Sequence, residues 1–173
     1  HPALAVSPLD NSLTVAWISE ANATVQVQAR LRTSNGLWGS VQTVSTAPLW
    51  HSTYFGLNVD QGPSLIITAD GVRHLTYIQD YDSTGDYGRV RYATSTATGW
   101  TDTALANYSH DPALAVNAAT GEIILVGHGH PQNGASSTAC LSMDNMCFMK
   151  KSGAGWGALQ LLEAEAGRSF DSS

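Results

Sequence analysis

Three segments concentrate the side chains that could bind a ligand or do chemistry. One reads Asp80-Tyr81-Asp82-Ser83-Thr84-Gly85-Asp86-Tyr87. Asp80, Asp82 and Asp86 offer carboxylate oxygens at a spacing that suits Ca²⁺, a hard cation. A full Ca²⁺ loop motif is missing, so the simpler reading is a solvated polar loop that needs no cofactor. The second segment, residues 47–63, holds Trp50, His51 and Tyr54. With Tyr81 and Tyr87 these aromatic rings could stack on sugar faces, or simply anchor the loops. The third holds His128-Gly129-His130. Two imidazoles two residues apart could serve a transition metal, but alternate residues share a face on any strand and no third ligand follows. His110-Asp111 stands just before an apolar strand. An Asp–His couple can do acid/base work; an Asp bonding turn amides is the simpler alternative. No nucleophile elbow, phosphate loop, dinucleotide fingerprint or HExxH motif occurs.

Composition narrows the classes that could use these residues. Apolar residues make up 43% of the 173, enough for a packed core, while charged residues reach only 13%. That is about half the usual charged share of a globular domain. Ser, Thr, Asn, Gln and Gly must therefore supply the polar surface, as in secreted β-rich proteins. The net charge of −6 leaves little with which to neutralise phosphates, which argues against nucleic acid. No apolar run is long enough for a membrane-spanning helix. The chain starts at His1, so a removed leader or excision from a longer protein is expected. Cys140 and Cys147 lie close together across an expected hairpin, a spacing suited to a local disulfide in an oxidising compartment. The expected location is secreted or at the cell surface.

The elements that would position these loops come from an internal repeat. Pro2-Ala3-Leu4-Ala5-Val6 returns as Pro112-Ala113-Leu114-Ala115-Val116. The offset is two units of about 55 residues, the size of a propeller blade. Gly36-Leu37-Trp38, Gly99-Trp100 and Gly155-Trp156 mark a matching turn in each unit. Each unit then reads as four strands, a to d, by β-branched and aromatic enrichment between turn residues. The first unit has strands at 3–6, 13–18, 24–31 and 38–44. The second has them at 64–68, 74–79, 88–93 and 101–106, and the third at 113–116, 122–127, 146–150 and 156–162. Only 159–166 has helical propensity, and the repeat assigns its first half to strand d. The expected fold is all-β: three four-stranded antiparallel blades, about half of a six-bladed ring. Blades span 1–48, 49–109 and 110–168, and 169–173 starts a further blade or closes the last. The three tryptophans are expected to anchor blade to blade. Three blades do not close a ring, so ring-completing blades from a second copy or a parent chain are expected partners.

The inner strand Pro2-Ala3-Leu4-Ala5-Val6, the second strand Leu13-Thr14-Val15-Ala16-Trp17 and the turns closing on Gly-Trp resemble the sialidase-like propellers, including the bacterial neuraminidase repeat proteins. That family's turn signature is roughly Ser-x-Asp-x-Gly-x-x-Trp. Here Ser, Gly and Trp persist but Asp is missing from all three turns, so the boxes are degenerate. The resemblance implies a sialidase activity built on an arginine cluster, an acid/base Asp and a Tyr–Glu pair. Of the six arginines, Arg30, Arg32, Arg89 and Arg91 fall on third strands, away from an axis. No such constellation assembles from this chain alone. Propeller ligands sit near the axis, at the rim formed by the d–a and b–c loops, where the chemistry-bearing segments fall. The leading reading is a non-catalytic, extracellular module that binds carbohydrate or a surface glycan. The alternatives are a sialidase-like glycoside hydrolase sharing its site with missing blades, with Asp111 and His110 as catalytic candidates, and a structural repeat of a surface or filament protein.

Overall fold

Alternation of apolar and polar residues, interrupted by short polar turns, dictates strands rather than helices throughout. In the sequence Val25-Gln26-Val27-Gln28-Ala29-Arg30 the valines and alanine are buried and the residues between them half-buried. A period of two places each set on its own face of a sheet. The structure is a computed structural model that describes residues 2–21, 24–45, 62–80, 88–107, 109–129, 145–153 and 155–164.

Among these residues there is no helix, and the strands form three antiparallel sheets in chain order. The first holds β1 (Ala3–Val6), β2 (Leu13–Ala21), β3 (Thr24–Arg32) and β4 (Trp38–Thr43). The second holds β5 (Ser64–Ile67), β6 (Arg73–Asp80), β7 (Gly88–Ser95) and β8 (Trp100–Asn107). Each runs in strict neighbour order, every strand pairing with the next. The third holds β9 (Ser109–Val116), β10 (Ile123–Gly129) and β11 (Asn145–Ser152). Its fourth position is split into β12 (Gly155–Trp156) and β13 (Gln160–Ala164), both paired with β11. The split is a departure from the single strand expected over 156–162. The Gly157 amide bonds the Lys150 carbonyl, which ends the first ladder before the second begins. Within the helix-prone stretch Gln160–Ala164 is a strand, because β11 offers it a ladder.

The sheets pack face to face in sequence. Val25, Val27, Ala29 and Val44 of the first meet Leu65, Leu75 and Tyr77 of the second in one core. Ile78 and Val90 of the second meet Leu114, Ile123 and Leu125 of the third in another. The first strands lie side by side, β5 between β1 and β9. The Leu114 amide donates to Ser64 Oγ at 3.0 Å, and Arg73 Nε donates to Thr14 Oγ1 at 2.8 Å. These contacts join matching strand positions, so all three sheets point the same way.

The tryptophans act as expected in two sheets of three. Trp100 reaches back to the first sheet and donates to Gln42 Oε1 at 3.0 Å. Trp156 meets the second sheet edge-on at Tyr92, 5.0 Å between ring centroids. Trp38 has no earlier sheet to meet among the described residues; it is 44% exposed and carries the Arg30 guanidinium over its ring.

One turn recurs between the first two strands of each sheet. Asn11, Gly71 and Gly121 take positive φ at the matching point, and each donates its amide back to the residue that opens the turn. At Gly71, φ is 81° and an added Cβ would stand 2.9 Å from Leu9 Cδ2 in the neighbouring sheet's turn. Gly71→Ala is therefore expected to destabilise the fold by about 1–2 kcal/mol, the cost of left-handed backbone in an L residue. Urea unfolding checks it; an unchanged midpoint would mean that the turn relaxes freely.

Candidate functional site

In each sheet the second strand ends, and the third begins, at the same end as the start of the first. Since the sheets point the same way, the departures toward 46–61, 81–87 and 130–144 all leave from one end of the stack. Asp80 closes β6 there, opposite Gly88. His110 and Asp111 belong to β9, which begins at Ser109, earlier than the strand expected from 113. His128 of β10 stands directly opposite His110, and the register shifts beside it, between Val126 and His128. The topology thus brings two histidines from distant segments into one cross-strand pair, which spacing alone does not reveal. Trp50, His51, Tyr54, Tyr81, Asp82, Asp86, Tyr87, His130 and Cys140 lie outside the described residues, as do Tyr108 and 169–173. Among the described residues no group of three or more His, Cys, Asp or Glu could hold a metal. Cys147 is buried on β11 and is not a free thiol.

Two polar constellations inside the stack escape sequence reading. In the first, Arg91 of β7 grips Asp102 of β8 through Nε to Oδ1 at 2.9 Å and Nη2 to Oδ2 at 2.8 Å. Its Nη1 donates to Gln79 Oε1 at 3.2 Å. The Asp102 side chain is wholly buried and that of Arg91 12% exposed. The pair sits on the face of the second sheet that meets the first, beside Tyr77. Burial, then the Asp102 charge, holds the Tyr77 hydroxyl far above its ordinary pKa. The hydrogen bonds that Arg91 donates to Asp102 hold the guanidinium protonated more firmly than usual. Arg91 occupies a third strand, as its position in the repeat implies, but it is not solvated there. The unshifted β7–β8 ladder, with Arg91 opposite Ala104 and Ala93 opposite Asp102, sets Asp102 diagonally across from it.

The second constellation lies between the second and third sheets. His74 is 6% exposed, stacked on Tyr92 and hydrogen-bonded at both ring nitrogens. Nδ1 is 2.6 Å from Tyr92 Oη and Nε2 is 3.1 Å from Thr68 Oγ1. Thr68 has one hydroxyl proton, and it points to Asp70 Oδ1 at 2.6 Å. Thr68 therefore accepts from His74 Nε2–H, and Tyr92 donates to Nδ1. This network holds a neutral imidazole. Burial, with Lys151 of the third sheet adding to it, lowers the His74 pKa to about 4. Burial also pushes Tyr92 up to about 12. With both nitrogens engaged inside a core, His74 supports structure and is not poised to exchange protons with a substrate.

Three of the described arginines are engaged within the sheets. Arg30 bonds the Gly39 carbonyl, Arg73 bonds Thr14, and Arg91 is held by Asp102. Thr14, Gln42, Arg73, Ser95 and Trp100 line a cleft between the first two sheets, at the end away from the loop departures. No family model matches this sequence, and no curated protein matches it.

Proposed function

We propose that the chain is a β-propeller module that binds glycans outside the cell, its three sheets serving as blades and its loops as the binding rim. The observation that carries this reading is the common departure end of the three sheets, which feeds every chemistry-bearing loop segment to one side of a rigid stack. Aromatic rings at Trp50, Tyr54, Tyr81 and Tyr87 supply stacking surfaces, and Asp80, Asp82 and Asp86 supply acceptors for sugar hydroxyls. His51, His128 and His130 add donors or acceptors at the same rim. The engagement of Arg30, Arg73 and Arg91 within the sheets favours binding over a sialidase-type reaction. Cys147 is not a free thiol, and a bridge to Cys140, the other cysteine of this chain, fits an oxidising environment.

A glycan array probed with the purified chain tests the reading. A defined set of bound sugars is expected, with affinity falling at least tenfold in Tyr81→Ala and Tyr87→Ala while the strand signal in circular dichroism persists. Failure to bind any sugar would remove the proposal. Turnover of a fluorogenic sialoside, lost in Asp111→Ala, would replace it with the hydrolase reading.

A further inference from the structure

Six of the eight large apolar side chains exposed among the described residues belong to the first sheet and its turns: Leu4, Val6, Leu9, Leu37, Trp38 and Val41. Leu4 is 61% exposed and Val6 55%. Strand register makes Leu4 the counterpart of Leu65 and Leu114, since each sits one residue after Ala3, Ser64 and Ala113. Leu65 is 8% exposed and Leu114 9%, because each packs on the preceding sheet. One and the same position is therefore buried twice and open once.

The opposite side of the stack is open in a complementary way. The face of the third sheet turned away from the second carries exposed Ala113 and Ala115 with half-buried Ile124, Val126 and Phe148. Ala113 and Ala115 are counterparts of Ala3 and Ala5, which pack into the first inter-sheet core. Phe148 is the counterpart of Tyr92: one pairs with Val126 and the other with Thr76, at the same level of the repeat. Tyr92 is the ring that receives Trp156. Trp38, the counterpart of Trp156, lacks such a partner among the described residues. The matching position where Arg73 meets Thr14 is filled by Leu13 on one open face and by Ile124 on the other. On these faces Arg30 lies over Trp38, and Lys150 is 3.5 Å from Glu122.

Resting on the propeller reading, we infer that a second copy of this chain covers the first sheet, its third sheet docking head-to-tail against Leu4, Val6, Leu13 and Trp38. Two copies make this contact twice and close a ring of six sheets about a twofold axis. Each junction repeats the contact already made between consecutive sheets, with Trp38 edge-on to Phe148 of the second copy.

Sedimentation of the full chain at micromolar concentration is expected to give twice the mass of one chain. Leu4→Arg and Ala115→Arg are both at exposed positions and keep the sheet signal in circular dichroism; each alone is expected to sediment as a single chain. Mixed in equal amounts they recover a two-chain species, because one junction between the two variants is intact. A wild-type mass of one chain, a dimer that ignores both substitutions, or a mixture that stays monomeric overturns the inference. Glycan binding is read separately: a monomer that still binds sugar leaves the binding module standing, and a dimer that binds none does the reverse.

Discussion

Asp102→Ala is expected to lower the unfolding free energy by about 3–5 kcal/mol, because it strands a buried guanidinium. Arg91 makes two charge-assisted bonds to Asp102, and only 12% of its side chain reaches solvent. Desolvating the cation is tolerable only while the carboxylate faces it. A loss of that size is a large fraction of the roughly 5–15 kcal/mol that holds a domain folded. The double variant Arg91→Leu, Asp102→Leu separates the charge effect from packing. It removes both ions together and is expected to stay close to the parent, because a buried pair can be exchanged for apolar groups at little net cost. Urea unfolding of the parent, the two single variants and the double variant makes a cycle. A single variant within about 1 kcal/mol of the parent would show that water reaches Arg91, against the burial that carries the prediction.

Lowering the pH from 7 to 4 is expected to remove roughly 3 kcal/mol of stability through His74 alone. Its folded pKa is about 4, against about 6.5 for an unburied imidazole. Between those values the unfolded chain binds a proton that the folded chain refuses, so stability rises with pH. The contribution is fully present above about pH 6.5 and is lost as pH falls toward 4. The cause is visible in the network: Tyr92 donates to Nδ1, and Nε2 already gives its proton to Thr68. A second ring proton would displace the proton that Tyr92 donates, and would place a cation in a buried site facing Lys151 across the sheet interface. Asp10 and Asp70 do not mimic this effect. Turn amides and hydroxyls hold both below the ordinary carboxylate range, so their losses begin only below about pH 4. Unfolding midpoints measured from pH 7 to pH 4 in the parent and in His74→Gln check it. The slope should flatten in the variant; equal slopes would assign the acid sensitivity to other groups.

Strand content and the threefold repeat were legible in the residues, because they follow from local rules: a period of two, β-branched residues and recurring turn residues. The return of Pro-Ala-Leu-Ala-Val made the repeat visible, because each copy forms a first strand paired in the same way with the second. Tertiary structure decided what burial and register control. The Arg91–Asp102 pair depends on the register of β7 against β8, which no residue pattern announces, and it buries an arginine of a third strand. The opposition of His110 and His128 depends on how β9 and β10 slide past each other. His74 looked like any strand residue until Tyr92 and Thr68 closed on both its nitrogens. Trp38, Trp100 and Trp156 share one sequence signature, yet their exposure differs, since burial belongs to the neighbouring sheet and not to the residue.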